Sequence, residues 1–123
     1  MAEKRKELES ILSDLERIGD IVGSAIVRTD GLLIATGLPS EVNSKAVAAM
    51  AAAIVGTSET TVSELNIGEF KEVLVNASDG QYAAIKAGED CILIALLRKG
   101  ANLGLVLLEM EKQSKKIARL IES

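Results

Sequence analysis

The stretch Arg28-Thr29-Asp30-Gly31-Leu32-Leu33-Ile34-Ala35-Thr36-Gly37 sets an Asp-Gly pair between two apolar runs. Two readings compete for it: a phosphate-binding or catalytic loop around Asp30, or the corner of a hairpin. Ala25 and Val27 on one side, and Leu32 and Ile34 on the other, alternate with the period of two that marks strands. Asp-Gly between two strands is favoured chemistry for a type I′ turn, whose two central residues both need positive φ. A phosphate loop would run into a helix and carry further glycines or a Gly-Lys-Ser/Thr ending. This run continues into another strand. Asp30 is therefore read as a turn residue, and function has to be sought elsewhere.

Upstream of the hairpin, Leu8, Ile11, Leu12, Leu15 and Ile18 follow the 3-and-4 spacing of a single apolar helical stripe. Glu3, Lys4, Lys6, Glu7, Glu9, Asp14 and Glu16 fill the other faces, and Gly19 is a natural stop. Downstream, Pro39 suits a loop and Ser40 an N-cap, which predicts a helix opening at Ser40. From Ala46 to Ala53 six of eight residues are alanine, and from Ala46 to Val55 there is no charge on any face. A surface helix ordinarily shows one apolar stripe and one charged face. Such a segment is either enclosed by its own domain or packed on more than one side. With so few other helices to surround it, an intermolecular contact is the better expectation.

The remaining pattern is strand-rich. EFKEVLVNAS and QYAAIKA flank Asp79-Gly80, a second hairpin signal of the same kind. CILIALLRK is apolar at both alternations, so it belongs in mid-sheet with cover on each face. Lys71 and Glu72 make the start of EFKEVLVNAS more mixed, and this run is read as an edge strand with apolar Val73, Leu74 and Val75. Asn102 can cap a final helix, although the apolar run Leu103–Leu108 alone is also compatible with a strand. The order is helix, strand, strand, helix, three strands, helix: a single α/β (α+β) domain over residues 1–123.

Composition narrows the chemistry. The 123 residues carry a net charge of −4, with no histidine, and Phe70 and Tyr82 are the only aromatic residues. Histidine-based triads and the usual zinc sites are excluded, and there is neither a basic stripe nor a stacking platform for nucleic acid. Cys91, alone within CILIALL, reads as a small core residue in a reducing compartment. No apolar run reaches the roughly 18 residues of a membrane span, and the charged start lacks signal-peptide features. A cytoplasmic protein without cofactor or metal is the expectation. Glu89-Asp90 reads as a turn, and Glu109 and Glu111 as the solvated side of a helix. No convergent polar set marks a small-molecule pocket.

RTDGLLIATGLPSE, the alanine-rich helix after it, and the ending GANLGLVLLEMEKQSKKIARLI resemble the Roadblock/dynein light-chain domain family, in particular prokaryotic members associated with Ras-like small GTPases. The DGLLIA hairpin followed by Leu-Pro, and the NLGLV opening of the last helix, carry most of the likeness. The resemblance implies a profilin-like αββαβββα sandwich with a five-stranded antiparallel sheet and helices on both faces. It also implies a non-enzymatic homodimer whose second helices pack antiparallel and whose third strands pair edge to edge. Mapped here, the helix contact falls on Ala46, Ala49, Met50, Ala53 and Ile54. The strand contact falls on Phe70, Val73, Leu74, Val75 and Ala77. Lys45, Ala48 and Ala52 are the positions expected to meet a Ras-like GTPase. Arg28, the one conceivable arginine finger, is read as a solvated strand-end residue. The alternative role is a structural adaptor in a motor, motility or trafficking complex.

Overall fold

A computed structural model describes residues 2–123. Its elements are α1 (Ala2–Glu16), β1 (Ile21–Arg28), β2 (Leu33–Thr36), α2 (Ser44–Leu65), β3 (Glu72–Ala77), β4 (Gly80–Ala87), β5 (Cys91–Arg98) and α3 (Leu103–Glu122). The five strands form one sheet in the order β2-β1-β5-β4-β3, with every neighbouring pair antiparallel. β5, apolar at both alternations, takes the central place that its sequence requires. Its Leu93, Ala95 and Leu97 face α1 and α3, packing with Leu8, Leu12, Leu15, Val106, Met110 and Ile117. Its Ile92 and Ile94 face the other way, onto Ala48, Ala51 and Val55 of α2. The chain is thus a three-layer sandwich, with α1 and α3 on one face and α2 on the other.

Several local expectations are corrected. The β1–β2 connection is a three-residue loop, Thr29-Asp30-Gly31, and not a type I′ turn. The Gly31 N–H donates to the Arg28 carbonyl at 2.9 Å and the Arg28 N–H to the Leu32 carbonyl at 2.8 Å. Gly31 has φ +97°, whereas Asp30 stays at negative φ. This is a type I turn closed by a glycine bulge, in which only the glycine needs the left-handed region. The β3–β4 turn is Ser78-Asp79, because Ala77 pairs with Gly80. Gly80 is a strand residue: a Cβ there would stand 2.9 Å from the Leu97 carbonyl oxygen.

The start of α2 also moves. Pro39–Val42 is a turn, closed by the Val42 N–H on the Pro39 carbonyl at 2.9 Å. Asn43, three residues past Ser40, is the N-cap, and its side-chain oxygen accepts the Ala46 N–H at 3.1 Å. Asn102 caps α3 in the same manner, accepting the Leu105 N–H at 3.2 Å, and Leu103–Leu108 is helical. By length and apolar composition alone, α2 would pass for a membrane span. Its inner face packs on the sheet instead, and Lys86 of β4 reaches Glu59 of α2 at 3.2 Å.

Candidate protein-interaction surface

α2 turns about 100° per residue, so its faces can be assigned position by position. Ala48, Ala51 and Val55 point into the sheet and are buried. Val47, Ala52 and Ile54 flank them, partly covered. Ala49, Met50 and Ala53 face outward, Met50 with 68% of its surface exposed, and Ala46 is half-covered beside them. The five positions expected at a helix seam therefore share the outer side and one flank of α2. The expected partner contacts separate: Lys45 is exposed and Ala52 half-buried, but Ala48 has 0% exposure. Ala48 cannot offer an outward contact, and its assignment to partner binding is corrected to packing against Ile92 and Ile94.

At the other end of the same face lies the edge strand β3, which among the described residues pairs with β4 alone. Its second side presents unpaired backbone groups along Glu72–Ala77, which is the template that strand pairing uses. Register with Ala84 and Tyr82 places Val73 and Val75 on the α2 side, whereas Leu74, opposite Ala83, lies on the α1/α3 side. Ala77 is exposed. Phe70 lies before the strand and packs against the cluster under α2, so it is not part of the free edge. This correction follows from bulk: a lone aromatic ring gains more beneath the helix than on a solvated margin.

The surface includes one feature that composition did not announce. Leu38 and Val42 from the turn before α2, Val47 and Met50 from the helix, and Tyr82 and Leu96 from the sheet line an apolar cavity of about 250 Å³. Met50 stands at this cavity and also belongs to the outward side of α2. The turn residues join the wall because the helix starts at Ser44 and not at Ser40.

The remaining candidates carry no converging chemistry. Arg28 pairs with Asp30 at 2.8 Å, and Asp30 also accepts the Leu32 N–H at 3.3 Å, so both serve the hairpin. Glu89 is exposed in the β4–β5 turn, Glu111 is exposed on α3, and Glu109 lies 4.0 Å from Lys112. Cys91 is buried at the start of β5, and burial pushes its thiol pKa up, which leaves it protonated and inert. Among the described residues no group of three or more metal-ligating side chains comes together.

The αββαβββα order around this sheet defines a roadblock-type, profilin-like sandwich. The Roadblock/LC7 domain family matches residues 7–97. This chain belongs to the Roadblock/LC7 family. The uncharacterised protein MJ1340 of Methanocaldococcus jannaschii is 34% identical over 110 residues, 89% of this chain and 96% of its own length. A solved structure described as MglB with tetrameric arrangement superposes with a TM-score of 0.88 at 18% identity, over 97% of this chain and 90% of that one. The gliding protein MglB from Thermus thermophilus gives 0.87 at 19% identity, over 97% and 91%.

Proposed function

We propose that this chain is a non-enzymatic, cytoplasmic regulator that works as a homodimer and binds a Ras-like small GTPase, biasing its nucleotide cycle. One observation carries the reading: the charge-free outer side of α2, with Ala49, Met50 and Ala53, lies on the same face as the half-buried Val73 and Val75 of an unpaired edge strand. Small side chains let two helices approach closely, and a second β3 would satisfy the open backbone row. A second copy of the chain supplies both at once. The tetrameric arrangement described for a structurally similar MglB supports self-association. A gliding protein among the similar structures fits a role in a motility system.

Such a regulator needs no chemistry of its own. It has to bind one nucleotide-dependent conformation of the GTPase more tightly than the other, because equal affinity for both shifts nothing. The exposed Lys45 and the half-buried Ala52, on one flank of α2, are the contacts proposed for that partner. The test is a pull-down of candidate GTPases loaded with GDP or a non-hydrolysable GTP analogue, with hydrolysis measured alongside. Preference for one nucleotide state supports regulation. A partner captured equally in both states would move the protein to the adaptor role, and capture of no GTPase would remove the proposal.

A further inference from the structure

We infer that the outward face of α3 docks on an anionic membrane surface. α3 turns Val106, Met110, Gln113, Ser114 and Ile117 inward. The opposite arc of the helix carries Leu105 and Leu108 and then Lys112, Lys115, Lys116 and Arg119. Leu105 is 46% and Leu108 64% exposed, an unusual investment of apolar surface in water for a helix that already has a buried face. The four cations are all exposed. Of these four, Lys112 alone has an ion pair among the described residues, with Glu109 at the outer limit of 4.0 Å. Glu111 and Glu122 stand on one flank of the arc, leaving its crest to the leucines and cations. In a chain of net charge −4 this segregation sets the crest apart from the rest of the molecule.

The shape selects the partner. The crest is the convex outside of a helix, with no groove to hold an acidic peptide. A planar interface accepts this form: leucines enter the headgroup boundary while lysine and arginine stems extend to phosphates and carboxylates. Each cation near an anionic leaflet is worth about fivefold in affinity, so one crest gives weak, reversible attachment. In the dimer proposed above, antiparallel pairing of β3 with its copy puts the two-fold axis perpendicular to the joined sheet. Both α3 helices then lie on one side and both α2 helices on the other. The doubling rests on that reading; the crest itself does not. A membrane-bound dimer would hold its α2 face toward the cytoplasm, open to a partner.

The experiment is vesicle flotation, using phosphatidylcholine alone and phosphatidylcholine with about one third phosphatidylserine, at low and physiological salt. The expected result is flotation with the anionic vesicles only, weakening as salt rises. Lys115→Glu/Arg119→Glu should reduce binding more than about tenfold, and Leu105→Ser/Leu108→Ser several-fold. All four positions are exposed, and circular dichroism on the same samples checks the fold. Light scattering gives the oligomeric state separately: a monomer that still floats, more weakly, ends the dimer reading and supports the crest. Absence of flotation, equal binding to neutral vesicles, or indifference to the charge reversal overturns the inference. Binding of soluble polyglutamate without vesicle binding overturns it in favour of an acidic protein partner.

Discussion

Asp20, just before β1, accepts the backbone N–H of Asn102 on one carboxylate oxygen at 2.8 Å and pairs with Arg98 through the other at 2.5 Å. One side chain therefore joins the start of β1, the end of β5 and the N-cap of α3. The Asp20 carbonyl also accepts the Arg98 N–H at 3.0 Å, which fixes the strand ends beneath the carboxylate. The Asn102 N–H, with the Arg98 charge added, holds the Asp20 pKa below its ordinary value of 3.8. A carboxylate with a depressed folded pKa stabilises fully above its unfolded pKa and loses that contribution as pH falls through the folded value. Asp20→Asn should therefore melt at lower temperature than the native chain at neutral pH. The gap should close as pH drops below 3.8. Thermal melts across the acid range check this, and a gap independent of pH would assign the effect to shape alone.

The two helix caps make a paired prediction. Asn43→Ala and Asn102→Ala each remove a side-chain acceptor from a first-turn N–H, at a cost of about 1 kcal/mol. Ser40→Ala should change stability little, because the Ser40 hydroxyl reaches only the exposed Glu41 carboxylate at 3.4 Å. Urea denaturation midpoints order the three variants. A Ser40 variant as damaged as the Asn43 variant would return the start of α2 to Ser40.

Two glycines should respond to the same substitution with opposite signs. At Gly80 an added Cβ meets the Leu97 carbonyl oxygen of the central strand at 2.9 Å, and neither strand can retreat without breaking its ladder. Gly80→Ala should destabilise by about 1–3 kcal/mol, the range of overpacking. Gly56 lies within α2 with nothing within 4 Å of its notional Cβ. Gly56→Ala should stabilise by about 0.5–1 kcal/mol through helix propensity. Denaturant titration of both variants reads the difference in sign.

These corrections show where sequence carries information and where it does not. CILIALL announces a central strand because a strand apolar on both faces can be satisfied only with layers on each side. The hairpin between β1 and β2 is equally plain, but its turn type is not: Asp-Gly serves a two-residue turn or the last two residues of a three-residue one. Ser40 and Asn43 are both good caps, three residues apart. The choice falls to Asn43 because Pro39–Val42 closes a turn of its own, a tertiary matter of how the chain leaves β2. The alanine run is the deepest loss. Periodicity locates a helix face only when apolar and polar residues alternate around it, and Ala48 and Ala49 are the same letter, one turned inward and one outward. Cover by a second surface can be suspected from such a run, but its inner and outer members cannot be told apart. Phe70 is a similar case, since adjacency to an edge strand says nothing of which layer the ring enters.

Ala48 and Ala49 therefore make the sharpest test of the interaction surface. Ala48 is fully buried against Ile92 and Ile94, whereas Ala49 is exposed. Ala48→Leu inserts three carbons into a filled layer and should cost about 1–3 kcal/mol of folding stability. The variant should keep its oligomeric state for as long as it stays folded. Ala49→Glu adds a carboxylate at a solvent-facing position, so the isolated subunit should fold as the native chain does. Within a helix seam the same charge would be buried without a partner, which is strongly unfavourable. Light scattering over a concentration series should then report a dimer for the native chain and Ala48→Leu, and a monomer for Ala49→Glu. Leu74→Pro provides an independent check at the other contact, because the register turns the Leu74 N–H away from β4 and its loss removes a backbone donor from the free edge. Dimers unchanged by both Ala49→Glu and Leu74→Pro would place self-association on another face. A native chain that stays monomeric at high concentration would leave the outer side of α2 free for a different kind of protein.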